Sequence, residues 1–240
     1  MRKNPPLREI IEKNILSDPN WVEYLNNDAP LPIKNIGALE PFAIWLLYLG
    51  KNKQAKELCY KFSIFLENRS KQNKLLPFSL HDLFKSSLFR SLAGYQDEAN
   101  FLWKNAIILS HQIPEKDINT CKVGQIWVFE AYGLIKLNKY ELVHQAALKG
   151  FEAIRKGNAT FNAPHKNTEA YGLADLTIKL AEYKINPTEG NKQKAQNSLV
   201  VYKKENLRYG KLGYSYIFDI QISYPDVFTT VLPSNSSNLD

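Results

Sequence analysis

Leu39, Phe42, Ala43, Leu46 and Leu49 fall at i, i+3, i+4, i+7 and i+10, which places them along one side of a helix; Leu58, Phe62, Phe65 and Leu66 do the same on the next stretch. Gly50 stands between the two. The arrangement returns 44 residues later at Gly94 and 44 later again at Asn138, and each corner is followed five positions on by a small apolar residue: Ala55, Ala99 and Val143. Glycine and asparagine most readily take the left-handed conformation that closes a helix. The apolar frame repeats with the corners. Leu39, Leu83 and Trp127 align before them, as do Leu49, Ala93 and Leu137; Leu58, Leu102 and Ala146 align after them, then Phe65, Leu109 and Ala153. The pattern predicts an all-α fold of stacked antiparallel helical hairpins, an α-solenoid-like array of about four repeats of 44 residues over residues 38–205.

The fourth copy is interrupted. Tyr171, Ile178 and Ala181 keep the first-helix frame and Glu182 falls at the corner, but "YKINPTEG" then intervenes before "NKQKAQNSL" restores the pattern with Ala195. Pro187 and Gly190 mark that insert as a predicted loop. Pro77, Pro114 and Pro164 are predicted to separate hairpins, and Ser79 with Asp82 to open a helix, with His81 in a capping position.

A stack of hairpins exposes apolar surface at both ends and needs polar-faced caps. Residues 1–37, with Leu7, Ile10, Ile11 and Ile15 and then Trp21, Val22 and Leu25, predict two short capping helices split at Asp18-Pro19. They are expected to bury Trp45 and Tyr48 of the all-apolar "FAIWLLYL". After Leu207 the helical frame weakens, so residues 206–232 are expected to form an irregular C-terminal cap, with room for a short strand at Ile220 and Ile222; 233–240 reads as a disordered tail.

Composition narrows the function. With 44% hydrophobic residues in 240, the chain can bury a real core. No apolar run approaches the roughly 20 residues of a membrane span and the N-terminus lacks a secretory core, so a soluble, cytoplasmic chain with no membrane partner is expected. Cys59 and Cys121 lack C-x-x-C spacing and read as reduced, buried side chains. The net charge of +7 is concentrated at 38–77 and 190–216, which suits an acidic partner as well as nucleic acid.

Searching for chemistry finds no enzyme motif. His81, His111, His144 and His165 are dispersed, phosphate-binding and nucleophile-elbow patterns are absent, and Glu130, Glu141 and Asp175 have the spacing of ordinary helix-surface acids. The expectation is a non-enzymatic protein without cofactor or metal. One stretch stands out: "VVYKKENLRYGKLGYSY" interleaves tyrosines with cations. Tyr202, Lys203, Lys204, Arg208, Tyr209, Lys211 and Tyr214 are the candidate partner-binding residues, through aromatic anchoring and charge steering. Two other readings stand beside it: base stacking with phosphate contacts, and a closing helix whose tyrosines plug the core while lysines stay wet.

The "GYQDEA" corner and its small-residue packing resemble tetratricopeptide-type hairpins, and the period lies in the HEAT-like range. The segment "LPFSLHDLFKSSLFRSLAGYQDEA" with the ending "SYPDVFTTVLP" resembles the helical immunity proteins of bacterial polymorphic toxin systems, in particular the immunity protein 49 family. That resemblance implies stoichiometric neutralisation of a cognate toxin and carries no site residues across. Because this chain is basic, the toxin expected is an acidic-surfaced one. A nucleic-acid-binding repeat protein is the alternative, and an enzyme on a helical scaffold a third.

Overall fold

The computed structural model describes residues 39–48, 52–114, 120–160, 168–209 and 214–228, together with residues 19 and 50. Within these the chain is helical: α1 (Leu39–Tyr48), α2 (Asn52–Gln72), α3 (Leu76–Leu92), α4 (Gln96–Ser110), α5 (Cys121–Lys136), α6 (Tyr140–Thr160), α7 (Thr168–Ile185), α8 (Glu189–Tyr209) and α9 (Tyr214–Ser223). Consecutive helices pair as α1 with α2, α3 with α4, α5 with α6 and α7 with α8. The all-α hairpin stack read from the spacing is the fold.

The corners lie where the repeat places them. Gly50, Gly94 and Asn138 have φ of 71°, 93° and 58°, and Asn138 is the non-glycine residue with positive φ among those described. At two of them the same pair of bonds closes the helix. The Gly94 and Tyr95 amides donate to the Ser91 and Arg90 carbonyls, at 2.9 and 3.1 Å, while the Asn138 and Lys139 amides donate to those of Ile135 and Leu134, at 3.0 and 2.8 Å. This is the Schellman closure, which satisfies carbonyls a helix end would otherwise leave bare. Ala55, Ala99 and Val143, one turn past each corner, are fully buried.

Helices approach closely where side chains vanish, both within a hairpin and between neighbours. A Cβ on Gly124 of α5 would lie 2.8 Å from the Gly150 carbonyl oxygen of α6, and one on Gly133 would lie 2.8 Å from the Trp103 ring of α4. The core is continuous along the stack, with Trp103, Phe84, Phe89, Tyr132 and Tyr202 among its largest buried side chains.

Several expectations are corrected. α3 starts at Leu76 with Pro77 inside its first turn, so the proline opens this helix and does not merely separate units. Asp82 and His81 consequently sit mid-helix, and Ser79 donates to the Ser70 carbonyl of α2 at 2.8 Å. The fourth corner is displaced. α7 runs through Glu182 to Ile185 and α8 starts at Glu189, so the insert lengthens helices around a short turn at 186–188. The Asn186 side of that turn is held by the Asn191 side chain, which donates to the Asn186 carbonyl at 3.0 Å, and the Thr188 hydroxyl accepts from the Asn191 amide. The C-terminal segment holds a helix where an irregular cap or strand was expected. Ile220 is fully buried and Ile222 half-exposed, as a helix requires of residues two apart and a one-sided strand does not allow. The proposed N-terminal caps, the Trp45 and Tyr48 side chains and Pro164 lie outside the described residues.

Candidate functional site

The first helices of successive hairpins pack in sequence, α3 on α5 and α5 on α7, and form one side of the array. A helical array commonly offers this side to partners. Here α9 lies on it. Tyr216 stacks on Phe129 at 5.5 Å and meets Tyr132 edge-on at 4.9 Å; Ile217, Ile220, Tyr224, Val227 and Phe228 are buried alongside. Each such side chain contributes about 1.5–3 kcal/mol of apolar burial.

A polar cluster fixes the register of α9. Asp219, 2% exposed, accepts from the Tyr132 hydroxyl at 2.5 Å, the Lys136 ammonium at 2.9 Å and the Ser91 hydroxyl at 2.7 Å. Lys136 also donates to the Ser223 hydroxyl at 2.6 Å, and the Tyr224 hydroxyl donates to the Ile135 carbonyl at 3.1 Å. Burial, then the nearby Asp219 carboxylate, push the Tyr132 hydroxyl well above the ordinary tyrosine range. Burial likewise raises the Cys59 thiol, so this fully buried free cysteine behaves as a small hydrophobe.

Beside the end of α9 lies a cavity of about 320 Å³, lined in part by Leu47, Lys56, Leu92, Gln96, Phe218 and Ile222. It is at the small end of the ligand-pocket range.

A second cluster ties α2 to α3. Arg69 grips Asp82 with two bonds of 2.6 Å, Asn73 adds a longer one, and Lys85 pairs with Glu40 of α1 at 2.7 Å. Burial pushes the Asp82 carboxyl up, but hydrogen bonds from His81 and Arg69 outweigh it and hold the group at about 2. Lys122, over the Phe78 ring at 5.1 Å, is brought down to about 8 by burial. A third cluster joins α4 to α5: the buried Glu130 accepts from Ser110 at 2.5 Å and faces the exposed His111 at 3.0 Å. Arg90, buried, reaches Ser63, Glu98 and Glu67 and lies over the Tyr60 ring at 4.7 Å. These groups are consumed by one another, as cross-braces between hairpins. Of the other acids singled out in the sequence, Glu141 is exposed and Asp175 accepts from Ser198. Among the described residues no three His, Cys, Asp or Glu side chains converge as metal ligands.

The candidate binding residues divide. Tyr202 is 2% exposed, its ring 2.8 Å from where a Cβ on Gly172 would stand, so the small residue on α7 makes room for it in the core. Lys203 is half-buried and lowered by that burial; Lys204 is exposed. The side chains of Arg208, Tyr209 and Tyr214, and Lys211 altogether, lie outside the described residues.

What remains open to solvent falls on the second helices. Among the described side chains of α3, α5 and α7 only Phe78, Asp175 and Ile185 are exposed. Large exposed apolar residues instead stand on α2 (Ile64), α4 (Phe101, Ile108), α6 (Leu142, Leu148, Phe151) and α8 (Val200, Val201). Sequence reasoning missed these outward residues, since an apolar residue in a helical stretch reads as core. The signal was their position off the buried stripe. Comparison of the chain with protein-family models, curated proteins and solved structures gives no match.

Proposed function

We propose that this chain is a non-enzymatic protein-binding helical-repeat protein, working in the cytoplasm, that captures one partner stoichiometrically. In its most specific form it is an immunity protein that neutralises a cognate bacterial toxin by covering it. The observation that carries the reading is the division of the surface: the chain's own α9 lies on the first helices, whose described side chains are nearly all enclosed, while outward apolar side chains recur on the second helices among lysines. Exposed apolar anchors within a charged surround are the composition of a recognition surface, and the net positive charge favours an acidic partner.

Nucleic acid is the weaker reading, because Tyr202 and Tyr216, the tyrosines of the basic stretch whose side chains are described, are in the core and offer no face to a base.

The test is co-purification of the tagged full chain from its native host, with the retained protein identified and its gene expressed alone and together with this chain. An acidic protein recovered in equimolar amount, toxic alone and harmless when co-expressed, supports the reading. Recovery of no acidic protein contradicts it.

A further inference from the structure

An array of hairpins is soluble only if its terminal helix turns a polar face outward. α8, the last second helix, breaks that rule at one place. Val200 and Val201 are 64% and 57% exposed, side by side in a well-formed helix. Lys204 lies one turn on from both, at i+4 and i+3, and Lys194 stands two turns before Val201, so the exposed face reads cation, valine pair, cation. Asn197 and Gln193 complete it, and Glu189 is the acid of α8 whose exposed side chain is described. The opposite side of the helix is taken: Ala195, Ser198, Leu199 and Tyr202 are buried, and Gln196 donates to the Val227 carbonyl at 2.8 Å. The helix is therefore fixed in rotation, and the valines cannot turn inward.

We propose that this outward face of α8 is a docking surface for an amphipathic acidic helix of a partner protein. The inference rests on the protein-binding reading above and names the face and the chemistry it takes. Three observations choose the occupant. The anchors are aliphatic and β-branched, suited to an apolar stripe and lacking a ring on which a base could stack. Among the described side chains the charges flanking the valines are lysines, which complement glutamates and aspartates bordering such a stripe. The same lysines repel a second copy of this face, so self-association across the valines sets like charges against each other.

The experiment uses the full chain and a fluorescein-labelled helical peptide carrying leucines on one face with flanking glutamates, followed by anisotropy. Saturable binding is expected, weakened at least tenfold by Val201→Glu and by Lys204→Glu, while Leu75→Glu, at an exposed position in the turn between α2 and α3, leaves it unchanged. Thermal melts of each variant matching the parent show that the exposed substitutions do not unfold the chain. No saturable binding, equal weakening by Leu75→Glu, tighter binding of an oligothymidylate than of the peptide, or a dimer in sedimentation that Val201→Glu dissolves would each overturn the proposal. If the peptide fails while an acidic protein still co-purifies, the face is wrong and the protein-binding reading stands; if the peptide binds and no acidic protein is recovered, the reverse holds.

Discussion

A single residue here most often acts by settling a debt of the backbone or of a neighbour. Asn138 takes the left-handed turn that glycine takes at the two earlier corners, and its side chain accepts from the Tyr140 hydroxyl at 2.6 Å. Asp82 settles another, joining α3 to Arg69 of α2. Its carboxyl is held at about 2, below its ordinary value, so it stabilises the fold above the unfolded value near 4 and loses that contribution as pH falls toward 2. Burial lowers His81 as well; its protonation below about pH 6.5 therefore opposes folding. Asp82→Asn is expected to cost about 1 kcal/mol at pH 7, modest because Arg69 is 46% exposed and can turn to water. It should also flatten the fall in stability between pH 4 and pH 2, measured by urea titration at each pH; an unchanged acid slope would show the pair to be idle. The corners were legible at this scale because only glycine and asparagine fit them cheaply. The role of Asp82 was not, since a local helix-start pattern cannot show that Arg69, thirteen residues back, arrives beside it.

At the scale of elements, the repeat reveals hairpins and stays silent about α9. Apolar positions in a solenoid return at a fixed period, and three of four corners follow directly from it. The fourth moved because α7 runs on to Ile185 and α8 takes up Glu189 and Gly190, residues that composition read as a loop from Pro187 and Gly190. α9 escaped notice for a different reason: its Tyr216, Ile217, Ile220 and Ile222 are β-favouring residues, and only tertiary burial against Phe129 and Tyr132 makes the helix worthwhile. Its register depends on the Asp219–Lys136 pair, both side chains 3% exposed. Removing one partner strands a buried charge, so Asp219→Ala is expected to cost about 3–5 kcal/mol, and replacing both by apolar residues to recover most of it. Chemical denaturation of the single and double variants measures this. A double variant no better than the single would mean that the pair is not what anchors the helix.

For the whole molecule, the consequence of α9 is a redistribution of surface. The first helices are enclosed between the second helices and the C-terminal segment, and the outward residues of α2, α4, α6 and α8 become the face the chain presents. The candidate stretch after Val200 was legible as unusual, but its tyrosine and its lysines part company once the helix has a rotation: Tyr202 turns to Gly172 and Lys204 to water. The sequence pattern alone does not contain that rotation. Amide hydrogen exchange of the full chain, resolved to residues 217–223, tests the enclosure most directly. The account predicts that these amides exchange only with global unfolding, as slowly as those of α5; exchange faster by orders of magnitude while α5 stays protected would contradict it.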